Sequence, residues 1–278
     1  MENIIISNPE KFEETKKKIL EEGVDNFHVI ADFDKTLTQA FTEGNKVQSI
    51  IAILRNKNYL TEDYSPKAHA LFEKYHPFEI DPKVSVDEKK KAMTNWWNEH
   101  FDLLIKSGLN LDDLKNLVDE GEIEMRNGTL EFIDFLYNKK IPLVIMSAGL
   151  GDVIKLYLEK ERRLYDNVHV VANFFEWNSD GKAVKIKLPI IHSMNKDEHT
   201  LENLPIFEEL RTRKNVLLLG DGLGDLGMIK GFDCNNLISI GFLNENVEEN
   251  LEFFKKDFEV VLLGDGDFSF VNDFVKEF

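Results

Sequence analysis

Of the 278 residues only one is a cysteine, Cys234, so no intramolecular disulfide can staple the chain and nothing in its cysteine usage argues for secretion. Long apolar runs are missing too. No stretch approaches the roughly 18 consecutive apolar residues of a transmembrane helix, and the opening MENIIISNPEKFEE lacks the basic segment and apolar run of a signal peptide. Positive charge is scarce: 34 Lys and Arg stand against 51 Asp and Glu, a formal net charge of −17. Such a chain lacks the clustered cations that nucleic-acid polymers require, and it is equally unsuited to an anionic membrane surface. These absences point to a cytoplasmic protein expected to act as a monomer. If its ligand is an anion, the attraction has to be built locally against the global field.

What is present is ordinary for a folded protein, with 42% hydrophobic and 31% charged residues. Pro9 to Glu22 reads as a helix, capped by Asn8 and closed by Gly23. The apolar run Phe27 to Ala31 reads as a buried strand ending in Asp32-Phe33-Asp34. From about Thr42 to Arg126 helical spacing dominates, in Lys46 to Leu54, Pro66 to Tyr75, Val86 to Lys106 and Leu111 to Gly121. Strands and helices then alternate, with strands predicted at Pro142–Met146, Val168–Ala172, Val216–Leu219, Leu237–Ile240 and Glu259–Leu263, and a hairpin around Ser179-Asp180-Gly181. This alternation predicts an α/β fold with a parallel sheet covered by helices, residues 1–40 and 127–278, interrupted by an inserted helical cap at 41–126.

Ligands bind outside the carboxyl ends of parallel strands. Three segments fall there: Asp32 to Thr38, Ser147 to Asp152, and Gly220 to Asp225. Singly each has a bland reading, as a helix cap, a flexible turn or a loop of calcium-site composition that lacks that loop's twelfth-position ligand. Together they place Asp32, Asp34, Asp221 and Asp225 on one edge, where four carboxylates repel unless a lysine or a hard cation such as Mg²⁺ neutralises them. The Ser147 hydroxyl and the amides of Ala148 and Gly149, read as a helix N-terminus, form a phosphate cradle. A carboxylate beside it can attack phosphorus, provided another group protonates the leaving alkoxide.

In this order and with a helical insertion after the first, Asp32-Phe33-Asp34-x-Thr36-Leu37-Thr38, Ser147-Ala148-Gly149 and Gly220-Asp221-x-x-Gly224-Asp225 resemble the haloacid dehalogenase superfamily. Phe78-Glu79-Ile80-Asp81-Pro82, Trp96-Trp97 and His192-x-x-Asn195-Lys196 narrow the resemblance to its cytosolic pyrimidine and 7-methylguanosine-phosphate 5′-nucleotidases. The resemblance implies a Rossmann-like core and Mg²⁺-dependent hydrolysis of nucleoside 5′-monophosphates through an aspartyl-phosphate. It implies Asp32 as nucleophile and metal ligand, and Asp34 as acid/base that also offers its backbone carbonyl to the metal. Asp221 becomes a second side-chain ligand, Ser147, Ala148, Gly149 and Lys196 hold the phosphoryl group, and Asp225 orients the lysine or a metal-bound water. Asp34 is expected to have a raised pKa because a second negative charge lies close by.

In the cap the resemblance puts Glu79 and Trp97 on the nucleobase, where they could read a methylated guanine by cation–π attraction and by accepting its N–H donors. Aromatic pairs in amphipathic helices are more often core, and adjacent helical residues point about 100° apart, so one of Trp96 and Trp97 at most should face a pocket squarely. His100 is a candidate base contact or a packing histidine. Other readings stay open: a phosphatase of phosphoserine or a sugar phosphate, a non-catalytic phospho-ligand binder, and phosphotransfer onto a nucleoside as a side activity.

Overall fold

The computed structural model describes residues 3–57, 59–81, 83–196, 206–230 and 233–278. The chain enters through a short strand β1 (Ile4–Ile6) and helix α1 (Pro9–Glu22). The Asn8 side chain accepts the Lys11 amide, Pro9 stands in the first turn, and Gly23, at φ 77°, donates its N–H to the Ile19 carbonyl. Phe12 and Ile19, seven residues apart, are the buried stripe of this helix. Strand β2 (Phe27–Ala31) is buried throughout and leads to a small hairpin, β3 (Phe41–Thr42) and β4 (Asn45–Lys46).

Four helices follow: α2 (Ile50–Asn56), α3 (Tyr64–Ile80), α4 (Val86–Lys106) and α5 (Leu111–Asp119). Helix α4 starts on a reciprocal cap between Ser85 and Glu88, and packs on α3 around Tyr75, Ala92, Met93 and Trp96. Helix α5 behaves differently. Its Leu114, Leu117 and Val118 join the main core, and it packs on α7 (Gly151–Lys160) of the sheet layer rather than on the α3–α4 pair. The remaining elements are α6 (Thr129–Asn138), β5 (Leu143–Leu150), β6 (Val168–Asn173), the hairpin β7 (Phe175–Trp177) and β8 (Ala183–Ile186), α8 (Phe207–Thr212), β9 (Asn215–Gly220), β10 (Asn236–Leu243), α9 (Val247–Asp257), β11 (Val260–Leu263) and α10 (Ser269–Val275).

One seven-stranded sheet runs in the order β1-β11-β10-β9-β2-β5-β6, parallel except for β1. Its register aligns Ala31 with Leu219 and Ile145, and Gly220 with Gly241, so the segments after β2, β5, β9 and β10 all leave by the same edge. The α/β fold with its helical insertion is the one the alternation of strands and helices predicts. Two local expectations need correction. The run Ile4–Ile6 forms a strand that sequence reading passed over, and β5 continues to Leu150, so Ser147, Ala148 and Gly149 are strand residues beside an irregularity in the β5–β6 pairing, not the first turn of α7. Among the described residues no helix is long and apolar enough to cross a membrane.

Candidate active site

Asp32 directly follows β2, and its amide donates to the Leu219 carbonyl at 3.0 Å, which ties it to the neighbouring strand. The next residues turn sharply, and Lys35 takes φ 61°, an uncommon conformation for a side chain with a Cβ. That turn is pinned from three sides. The Lys35 amide donates to Thr38 Oγ1 at 2.8 Å, while its carbonyl accepts from Asn244 Nδ2 at 3.0 Å and from the Arg126 guanidinium. Opposite, Gly220 closes β9 with no room for a side chain: a Cβ there would stand 2.5 Å from Asp225 Cβ.

The carboxylates of Asp32, Asp221 and Asp225 converge, each with an oxygen within 4.8 Å of the others. Lys196 lies buried between them, its Nζ donating to Asp32 Oδ1 and, at 3.0 Å, to Asp225 Oδ1. The second oxygen of Asp225 accepts the amides of Asp221 and Gly222 at 3.1 and 3.0 Å, so Asp225 fixes both the lysine and the turn after β9. Burial raises the Asp32 carboxyl to about 7 against the pull of Lys196, and burial together with Asp225 and Asp32 raises Asp221 as well. Burial works to lower the Lys196 ammonium, but the two carboxylates beside it outweigh that and hold it charged.

Asp34 lies outside the three-carboxylate cluster. Its carboxyl faces the end of β5, where a Cβ added at Gly149 would meet Asp34 Oδ2 at 3.5 Å and Ser147 Oγ at 3.2 Å. Burial pushes its pKa up to about 6, opposed by the Ile50 amide and by Lys196 and Lys35. The direction is the expected one but the cause differs, being desolvation and not a neighbouring negative charge. Ser147 Oγ accepts the Gly149 amide at 2.9 Å, and the Ala148 carbonyl is held by Asn173 Nδ2 at 2.8 Å. Asn173 also exchanges hydrogen bonds with the backbone of Ile191, both 2.8 Å, and so fastens the loop that carries Lys196 to the strand that carries Ser147.

A cavity of about 600 Å³ opens from this edge toward the helical insertion, with Asp34 and Gly149 at its floor and Glu79, Trp97 and Arg55 among its walls. The Trp97 indole Nε1 donates to the Ala148 carbonyl at 3.1 Å, which locks the ring over the end of β5. Glu79 Oε1 accepts from Ser193 Oγ at 2.7 Å, and Oε2 lies 3.3 Å from His76 Nδ1. Both tryptophans border the cavity, because Trp96 stacks on Tyr75 at 6.2 Å while meeting Trp97 edge-on at 5.0 Å. His100 is not brought to the cavity. Its ring is buried, with Nε2 at 3.0 Å from the Tyr64 hydroxyl, and burial followed by the charge of Arg55 lowers its pKa to about 4. Pro82, in the segment beginning at Phe78, lies outside the described residues.

Two residues that sequence reading missed organise the site from behind, Asn173 and Arg126. Each is a buried polar side chain, Asn173 at the end of β6 and Arg126 in the connection before α6, a weak signal in sequence because the groups they hold are remote. Asp152, at the end of the Ser147 segment, is occupied elsewhere, accepting from the Phe175 amide and Trp177 Nε1, both at 3.0 Å.

An α/β sheet of this order, with a carboxylate cluster at its carboxyl edge and helices inserted after β2, is the fold of haloacid dehalogenase-type phosphatases. A phosphoserine phosphohydrolase-like protein from Francisella tularensis shares the fold, with a TM-score of 0.53 at 16% identity over 89% of this chain and 99% of that one. The chain belongs more narrowly to the pyrimidine 5′-nucleotidase (UMPH-1) family, whose model matches residues 35–278. It is 35% identical to the 7-methylguanosine phosphate-specific 5′-nucleotidase A of Xenopus laevis over 98% of this chain and 94% of that protein. The crystal structure of cytosolic 5′-nucleotidase IIIB bound to cytidine superposes with a TM-score of 0.91 at 28% identity, covering 100% of this chain and 94% of that one.

Proposed function

We propose that this 5′-nucleotidase hydrolyses pyrimidine nucleoside 5′-monophosphates, 7-methylguanosine 5′-monophosphate or both, with Asp32 as nucleophile and Asp34 as acid/base. The observation that carries this reading is that Asp34, close enough to feel the charge of Lys196, meets Ser147 and Gly149 at the floor of a cavity walled by Trp97 and Glu79, while Lys196 pairs with Asp32. Asp32 attacks phosphorus, and the bond to the 5′-oxygen breaks as Asp34 delivers its proton there. Asp34 then takes a proton from the water that opens the aspartyl-phosphate. Its elevated pKa suits both transfers. Ser147, the Ala148 amide and Lys196 hold the phosphoryl oxygens, and the Gly149 amide, donating to Ser147 Oγ, leaves that hydroxyl's proton for them. A nucleoside hydroxyl in place of that water gives phosphotransfer.

Two buried carboxylates, Asp32 and Asp225, and the partly buried Asp221 are a hard, oxygen-only donor set, and they fit Mg²⁺. Asp32 and Asp221 would hold it with the Asp34 backbone carbonyl, Asp225 serving to orient Lys196. When bound, the ion neutralises charge on the phosphoryl oxygens. Glu79 and Trp97 would contact the base. The aromatic walls of the cavity, with Glu79 among them, favour a nucleotide over phosphoserine or a sugar phosphate. We place the reaction in the cytosol, in a monomer divided into a core, 1–40 and 127–278, and a cap, 41–126, whose last helix α5 packs on the core.

Phosphate release from the cytidine, uridine and 7-methylguanosine monophosphates with Mg²⁺ tests the reading. Turnover is expected to vanish on chelation and in Asp32→Asn. Release that persists in either case, or a chain active on phosphoserine and inactive on every nucleotide, would overturn it.

A further inference from the structure

The cavity contains a cation to which the mechanism gives no task. Arg55, near the end of α2, lines the wall opposite the catalytic floor, with its guanidinium over the Phe72 ring, Cζ 4.4 Å from the centroid. Phe72 stacks on His76 at 4.6 Å and 17°, and His76 reaches Glu79. Phe72, His76 and Glu79 are spaced i, i+4, i+7 on α3, so one helix face presents a ladder that starts at a fixed cation and ends at a carboxylate. The ladder gives Arg55 a ring face but no acceptor. Its Nε is buried with no hydrogen bond, and among the described residues the guanidinium makes no ion pair. A half-buried guanidinium that lacks an acceptor among the described residues is an arrangement that an incoming acceptor completes.

We propose that Arg55 sets base selection in this cavity, donating to a carbonyl oxygen of a neutral base while its fixed charge disfavours the cationic ring of 7-methylguanine. The proposal rests on the nucleotidase reading. Glu79 at the other end of the ladder accepts N–H donors, so a base presenting a carbonyl and an N–H at opposite positions satisfies both ends. The Phe72 face lies against the guanidinium and limits its freedom to swing away.

The test compares kcat/KM for cytidine and 7-methylguanosine 5′-monophosphates in the wild type, Arg55→Met and Arg55→Lys, with each protein's rate on p-nitrophenyl phosphate, which has no base, as the internal reference. In Arg55→Met the cytidine nucleotide should lose about tenfold, chiefly through KM, the scale of one charge-assisted hydrogen bond. The ratio of methylguanosine to cytidine turnover should rise by more than about threefold. Arg55→Lys retains the charge and should keep that ratio within about threefold of wild type. A ratio that stays put in Arg55→Met, or moves equally in both variants, overturns the proposal and leaves the nucleotidase reading standing. A wild-type chain that cleaves p-nitrophenyl phosphate and neither nucleotide overturns both.

Discussion

Replacing Arg126 by Met would remove the central tie of the catalytic turn without removing any group that touches substrate. The guanidinium is 1% exposed and makes five hydrogen bonds: Nε to the Thr36 carbonyl at 3.0 Å, one terminal nitrogen to Asp265 Oδ1 and the Gly266 carbonyl at 2.7 and 2.8 Å, and the other to Asn244 Oδ1 at 3.1 Å and the Lys35 carbonyl. It also covers the Phe242 ring, with Cζ 4.6 Å from the centroid. Methionine fills the volume and covers the ring, but it takes a donor away from three backbone carbonyls, the Asn244 amide oxygen and one carboxylate. Breaking a buried ion pair from one side costs about 3–5 kcal/mol. The lower half of that range applies here, because Asp265 is 19% exposed and keeps the amides of Ala40 and Phe41 at 2.8 and 3.1 Å. Asp265→Asn should cost less than Arg126→Met, and the double variant should lose about 1.5–3 kcal/mol less than the sum of the singles. Urea unfolding of the four proteins measures the cycle, and p-nitrophenyl phosphate turnover measures the site. With Lys35 held at φ 61° by two donors to its carbonyl, loss of one should lower kcat far more than it raises KM. Arg126→Lys should recover part of both, since it retains the charge and not the fork. Additivity within about 0.5 kcal/mol, together with an unchanged kcat, would refute the reasoning.

Two further outcomes follow from the geometry. Gly220→Ala would set a Cβ 2.5 Å from Asp225 Cβ, so the variant should fold but displace Asp225 from Lys196 and slow turnover by about tenfold or more; full activity would show that the turn yields at no cost. His100 is neutral in the fold, with a pKa of about 4, whereas the unfolded chain takes up the proton near 6.5. Its contribution to stability is therefore complete above about pH 6.5 and is lost as the pH falls toward 4, so between pH 7 and 5 wild type should lose about 2 kcal/mol relative to His100→Phe. An unfolding free-energy gap between the two proteins that is the same at both pH values would contradict the assignment of His100 as a buried packing residue.

The sheet was legible because strands buried on both faces are apolar runs ending abruptly in polar residues, as Phe27 to Ala31 does before Asp32. Where that contrast fails, so does the reading. Ile4–Ile6 is too short to stand out, and Ser147-Ala148-Gly149 looks like a turn because small residues suit one, although Asn173 holds the segment in the sheet. In the insertion, helical spacing placed α2 at Lys46 to Leu54, but the helix begins at Ile50, after Ser49, and Lys46 to Gln48 border the cavity instead. The carboxylates could be placed because they sit at strand ends, which topology alone brings together. Lys196 could not: it reaches Asp32 across 164 positions of sequence, and only resemblance distinguishes it from a solvated lysine. Arg126 and Asp265, 139 positions apart, carried no pattern at all.

The excess of negative charge has a local counterpart at this cluster. Asp32, Asp221 and Asp225 bring three carboxylates together and Lys196 returns one positive charge, so the set is formally −2 before any substrate arrives. Lys196 is already engaged by Asp32 and Asp225, and it cannot by itself reverse the sign of the field for an incoming phosphomonoester. Burial relieves the repulsion in one way, by raising Asp32 and Asp221 so that a proton can reside there. A protonated Asp32, however, is a poor nucleophile. A hard dication relieves the same repulsion while leaving Asp32 ionised, and it competes with the proton for the same oxygens. The desolvated, mutually repelling carboxylates are therefore negative enough to attract a cation, and at a formal −2 one dication would bring them to neutrality, so that the cluster no longer repels an incoming phosphomonoester.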